Sequence, residues 1–178
     1  EHNLVHRAAA LFFEETGQGA GVRIRLEKRI PAGAGLGGGS SDAAAALVGL
    51  DALFQTRVPT ETLEAWAAGW GPDAPFFGRG GRACARGRGE RLSPLDGPPE
   101  AAHLVVLVPP VHAATPEVFR AWDALGLKGR DAPCAALGAH NDLERAALAR
   151  HPELGELAAW VRGARAPLAG MSGSGSAF

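Results

Sequence analysis

Residues 31–41 read PAGAGLGGGSS and run directly into the helix-forming stretch DAAAALVGL. Five glycines in that window (Gly33, Gly35, Gly37, Gly38 and Gly39) remove the β-carbons that would hold a ligand away from the backbone. A phosphate can therefore rest on main-chain N–H groups. The alanine run predicts a helix beginning at about Ser40. A helix N-terminus leaves about four N–H groups without partners and carries roughly half a positive charge. With Ser40 and Ser41 adding hydroxyls at the cap and Asp42 in the first turn, the segment makes an anion site. A plain turn needs about one or two glycines, so this density points to a ligand.

The common phosphate loops do not account for it. Gly33-Ala34-Gly35-Leu36-Gly37-Gly38 satisfies GxGxxG, but a dinucleotide fold then needs a strand ending in an acidic residue about 20 residues on. Here that region, DALFQTRVPTETLEAW, reads as the end of one helix and the start of another. A Walker A loop needs a lysine before the Ser/Thr, where Gly39 stands.

Composition narrows the rest. A chain of 178 residues, 46% hydrophobic and 21% charged, suits one soluble domain or two small ones with a real core. Its formal net charge of −1 gives no electrostatic case for nucleic acid or a membrane surface. Cys84 and Cys134 stand far apart with no CxxC, so neither a zinc site nor a disulfide framework is indicated, and a reducing, cytoplasmic compartment fits. No apolar run approaches the roughly 18 residues of a membrane span.

In chain order, Leu4, Ala8, Leu11 and Phe12 predict an amphipathic helix stopped by Gly17 and Gly19. Val22, Ile24 and Leu26 alternate with charged residues, which predicts a strand leading to the glycine loop. Thr60 opens a short helix. GPDAPFF at 71–77 sets Asp73 between two prolines and beside two phenylalanines, a rigid and partly desolvated carboxylate of the kind that orients or deprotonates a hydroxyl. An ordinary Pro-Asp turn is the plainer reading of the same residues.

RGGRACARGRGER at 79–91 lacks interleaved aromatics and reads as a solvated hairpin rather than an RNA segment. Residues 92–101 form the best linker, and HLVVLV at 103–108 an apolar strand. Thr115 caps a helix with Pro116 at its first position, making Phe119 a core residue by default. Asn141 and Glu144 stand at capping-box spacing, and a further helix starts at Pro152. A short strand at 168–171 leads into Ser172-Gly173-Ser174-Gly175-Ser176, by composition a flexible linker. No histidine pair suggests a metal site, and no GxSxG elbow suggests a hydrolase.

PAGAGLGGGSSDAAAAL resembles the second motif of the GHMP kinases, and GPDAPFF, TPEVF and MSGSGSAF agree with that family in order. The resemblance implies an α+β fold of two domains: an ATP-binding domain over residues 1–100 and a smaller one over 101–178. It implies transfer of the γ-phosphate of ATP, with Mg²⁺, to the 2-hydroxyl of 4-diphosphocytidyl-2-C-methyl-D-erythritol in non-mevalonate isoprenoid synthesis. The partner is thus a small molecule carrying a cytidine diphosphate group.

By the same resemblance the ATP phosphates lie on Pro31, Ala32, Gly33, Ala34, Gly35, Leu36, Gly37, Gly38, Gly39, Ser40 and Ser41, and Asp73 is catalytic. Phe119 stacks on the cytosine, Thr115 lies beside it, and Ser172, Gly173, Ser174 and Gly175 form a substrate-side loop. The family departs from this chain in having a small residue at the position of Pro72 and commonly a valine at that of Ala74. The family's lysine and its Tyr-His pair are expected before residue 1, and Lys28 does not replace that lysine. Other GHMP kinases, such as mevalonate or homoserine kinases, and a nucleotide-binding module without turnover are the alternatives.

Overall fold

The computed structural model describes residues 3–97, 103–130 and 140–178. The chain divides into two compact units, one of Glu1–Lys28 with Gly37–Ala101 and one of Arg29–Leu36 with Ala102–Phe178. Helices and a small antiparallel sheet make the fold α+β.

In the first unit α1 (Leu4–Thr16) begins at Asn3, whose side chain accepts from the Val5 N–H, and ends at Gly17 with φ 65°. Such a left-handed C-cap suits glycine, so the predicted stop holds. α2 (Gly38–Phe54) lies on α1 through Ala8, Phe12, Ala43, Leu47 and Leu50, all buried. Alanines on both helices permit that close approach. Phe13 meets Phe54 edge-on with ring centroids 5.5 Å apart. α3 (Thr60–Ala67) and α4 (Ala74–Arg79) complete the layer, joined by Arg79 to Glu64 at 2.6 and 3.0 Å. That forked pairing raises the Arg79 pKa, first through the hydrogen bond and then through the charge of Glu64.

The predicted hairpin forms. β1 (Ala83–Arg86) pairs antiparallel with β2 (Arg91–Pro94), Cys84 opposite Ser93. Cys84 is buried. Cys134 lies outside the described residues, as does the end of the expected linker at 92–101.

The second unit centres on α5 (Thr115–Ala124) and α6 (Glu144–Arg150), packed through Val118, Ala146 and Ala147 with Ala113 and Met171. A 3-10 turn (Pro152–Leu154) leads into α7 (Gly155–Gly163), tied to α6 by Arg162 and Glu144 at 3.2 Å. The capping box is therefore corrected: Glu144 faces α7, and no side chain caps α6.

Three expected strands are absent as strands. Residues 22–30, 103–108 and 168–171 belong to no ladder among the described residues. Leu107 and Phe178 exchange one pair of backbone hydrogen bonds at 2.8 and 2.9 Å. Alternation selects a face, but a strand exists only with a neighbour, and the one sheet among the described residues is β1 with β2.

Candidate active site

The glycine segment is shared between the units, so each half has its own surroundings. In the first unit α2 starts at Gly38, two residues earlier than predicted, with Gly37 as N-cap at φ 67°. Its first intrahelical bond runs from Ser41 N to Gly37 O at 2.9 Å. The N–H groups of Gly37, Gly38, Gly39 and Ser40 therefore precede the ladder, the four donors that a helix start offers an anion.

Two expectations change here. Ser40 and Ser41 stand inside the first turn and do not cap it, since no side chain does. Asp42 lies beyond the first turn and receives the ammonium of Lys28. Its carboxylate thus answers a side-chain cation, not the helix dipole.

The GPDAPFF segment is held against this helix start. A β-carbon on Gly37 would stand 2.7 Å from Phe77 Cζ, so glycine is needed both for the backbone angle and for the ring beside it. A β-carbon on Gly71 would be 3.6 Å from Ser40 Oγ, which puts the turn preceding Asp73 beside α2's first residues. Asp73 is the N-cap of α4 and makes no capping hydrogen bond, while Pro75 occupies the helix's second position. Asp73 is exposed, contrary to the expected partial desolvation. The phenylalanines explain this: Phe76 and Phe77 stack edge-on at 5.6 Å, and Phe77 covers Gly37.

The first half of the segment, 31–36, lies in the second unit against the C-terminal glycine-serine loop. Ser172 Oγ donates to Gly35 O at 2.9 Å, and Ala177 N donates to Ala34 O at 3.0 Å. A β-carbon on Gly35 would fall 2.8 Å from Gly175 O, and one on Gly173 would fall 2.7 Å from Gly35 O. The two loops touch backbone to backbone, which only glycine permits. Residues 172–176 are therefore no flexible linker: Ser174 and Ser176 are buried, and Ser176 donates to Val111 O.

Thr115 is corrected as well. Ala114 is the N-cap of α5, and the Thr115 hydroxyl pairs with Ser174 Oγ at 2.8 Å. Phe119 is 50% exposed while Val118 is fully buried, so the core position is one residue earlier than expected. Its ring is half in solvent, four residues after Thr115 and so on the same side of α5.

Sequence reasoning missed His112 and Asn141. The imidazole of His112 stands where Gly33 lacks a β-carbon. Asn141 donates to Met171 O at 2.8 Å and Gly173 O at 2.7 Å. A lone histidine carries no periodic signal, and the helix-cap spacing of Asn141 hid its tertiary use.

A helix start with four N–H groups ahead of its ladder, and a prolyl-fixed carboxylate turn beside it, is the arrangement expected of a small-molecule phosphotransferase. The pattern of the GHMP kinases N terminal domain matches residues 3–81. The chain is 45% identical over 99% of its length to a 4-diphosphocytidyl-2-C-methyl-D-erythritol kinase of Aromatoleum aromaticum, covering 61% of that protein. It is 48% identical to a protein of the same name from Thermus thermophilus, covering 99% of this chain and 66% of that one. A crystal structure of 4-(cytidine 5'-diphospho)-2C-methyl-D-erythritol kinase superposes with a TM-score of 0.78 at 45% identity, covering 99% of this chain and 68% of that one. The chain belongs to the GHMP kinase family. It spans about three fifths of the length of the curated relatives it matches.

Proposed function

We propose that the chain is part of an ATP-dependent kinase that phosphorylates the 2-hydroxyl of 4-diphosphocytidyl-2-C-methyl-D-erythritol in non-mevalonate isoprenoid synthesis. The observation that carries this reading is the packing of Phe77 on Gly37 and of Gly71 beside Ser40, which sets Asp73's turn against the start of α2. Identity of 45–48% to proteins of that name supplies the substrate.

The helix-start N–H groups of Gly37–Ser40 hold phosphate oxygens without a reorganisation cost. ATP supplies the transferable phosphoryl group, and Mg²⁺ neutralises charge on the phosphate oxygens. Magnesium commonly takes one or two carboxylates plus phosphate, and among the described residues no group of three His, Cys, Asp or Glu side chains converges. Asp73 accepts or orients the proton of the acceptor hydroxyl. Phe119 offers its exposed face to the cytosine, with Thr115 and the 172–175 loop alongside.

We assign residues 1–100 to the ATP-binding domain and 101–178 to the smaller domain, with 29–36 keeping company with the latter. Among the described residues no helix is long and apolar enough to cross a membrane. We place it in the cytoplasm, where an ATP-dependent metabolic step has its phosphate donor at hand.

The test is turnover by the full-length enzyme on a panel of alcohols: 4-diphosphocytidyl-2-C-methyl-D-erythritol, mevalonate and homoserine. Phosphate appearing on the 2-hydroxyl of the first alone supports the reading. Preference for another alcohol, or ATP binding without turnover on any, overturns it.

A further inference from the structure

We propose that Asn141 is a positioning residue that sets the shape of the 172–176 loop for the acceptor. This rests on the functional reading above for what the loop does, and on geometry for what Asn141 does to it. The loop is a poor candidate to hold itself. Its sequence SGSGS offers no apolar side chain, and Gly173 and Gly175 have φ of 55° and 92°, angles that glycine adopts but does not enforce. Its form has to come from hydrogen bonds.

Asn141 supplies two of them. Both hydrogens of its amide are used, one on Met171 O at 2.8 Å and one on Gly173 O at 2.7 Å, so the carbonyls on either side of Ser172 are pinned by a single planar group. Its own oxygen accepts from Leu143 N at 3.0 Å, fixing the amide's orientation. The next residue braces the backbone. Asp142 accepts from Arg130 N at 2.8 Å and from the His140 ring at 2.5 Å, and these partners hold its pKa below the usual carboxylate value.

The pinned segment is the one with work to do. Ser172 Oγ reaches Gly35 O, Gly173 sits against Gly35, and Ser174 pairs with Thr115. Rotation of either pinned carbonyl shifts all three contacts.

Asn141→Asp divides the side chain's two tasks. It keeps an oxygen for Leu143 N but loses both donors and places negative charge against two carbonyl oxygens. Asn141→Ser likewise keeps a short oxygen without the charge. In the full-length enzyme both variants should raise the acceptor KM about tenfold to a hundredfold, the loss expected for a clamped pair of hydrogen bonds. The ATP KM should stay within about twofold, and the amides of residues 172–176 should exchange hydrogen faster than any global loss explains, with the melting temperature lowered by no more than about a few degrees. An Asn141 that merely starts α6 predicts silence in Asp and Ser variants alike, and that result overturns the proposal. So does a lowered melting temperature with normal KM per folded molecule. If the wild-type enzyme turns over none of the alcohols, the functional reading fails while the exchange measurement still decides the clamp.

Discussion

On the proposed reading Asp73 acts from an exposed position rather than a buried one. Its backbone is fixed by Pro72 before it and by α4 after it, and its side chain is not spent on capping. Phosphoryl transfer leaves a protein chiefly positioning and charge to supply, with a carboxylate taking or orienting the hydroxyl proton. Asp73→Asn keeps shape and hydrogen-bonding reach but loses the charge. General-base contributions commonly run about 100- to 10,000-fold, so kcat of the full-length enzyme should fall by that order with ATP affinity little changed. A lowered melting temperature with near-normal turnover per folded molecule would instead make Asp73 a purely structural turn residue. Phe119 is the second case at this scale. Because Val118 fills the core, Phe119→Leu should leave stability within about 0.5 kcal/mol, as exposed substitutions generally do. Loss of the stacking face should raise the acceptor KM by a factor equivalent to about 1–3 kcal/mol without moving that for ATP. Equal KM values for both substrates in the variant and the parent remove the base-stacking role.

At the scale of elements, α2 carries two glycines with opposite demands. Gly37 needs its left-handed angle and has Phe77 where a β-carbon would go, whereas Gly49 lies in the helix interior with nothing within 4 Å of its missing β-carbon. Gly37→Ala costs about 1–2 kcal/mol from the backbone angle alone and displaces Phe77 from the site. Gly49→Ala should stabilise by about 0.5–1 kcal/mol through the unfolded chain's entropy. For a chain of this size that separates the two melting temperatures by several degrees, at about 2–4 °C per kcal/mol. ATP titration should show a loss at Gly37 and none at Gly49. If both alanines behave alike, the special role of the helix start is wrong. Much of this element was legible beforehand, because glycine density, alanine propensity and the helix dipole are local properties. Its starting residue was not, since glycines can continue a helix backward once neighbouring packing supports it. Asn141 and Thr115 were misread for a related reason: both sit at capping spacing, but the Asn141 amide N–H groups and the Thr115 hydroxyl pair with residues 30 or more positions away.

On the scale of the whole molecule, the hairpin and every helix but α4, whose residues read as a prolyl turn, followed from sequence because their hydrogen bonds close within a few residues. Residues 103–108 did not, because alternation or apolar content cannot name the neighbour that makes a strand. That segment leaves a specific exposure: Leu104 and Val105 are 83% and 85% exposed and Val106 is 50% exposed, while among the described residues only Leu107 of the segment is engaged in backbone pairing, with Phe178. A run of β-branched and leucine side chains with unpaired backbone is a template for another chain's strand. We therefore expect the 178-residue chain by itself to associate in a concentration-dependent way. Val105→Lys should suppress that association, since a charge on an exposed edge opposes edge-to-edge pairing. The same substitution should barely shift the melting temperature, because Val105 buries almost none of its surface. Sedimentation velocity over a roughly hundredfold range of concentration reads the first effect, and thermal unfolding followed by circular dichroism reads the second. Identical sedimentation of the parent and Val105→Lys chains would show that 103–108 is not the surface through which copies meet, whereas a large loss of melting temperature would show that Val105 is packed rather than exposed.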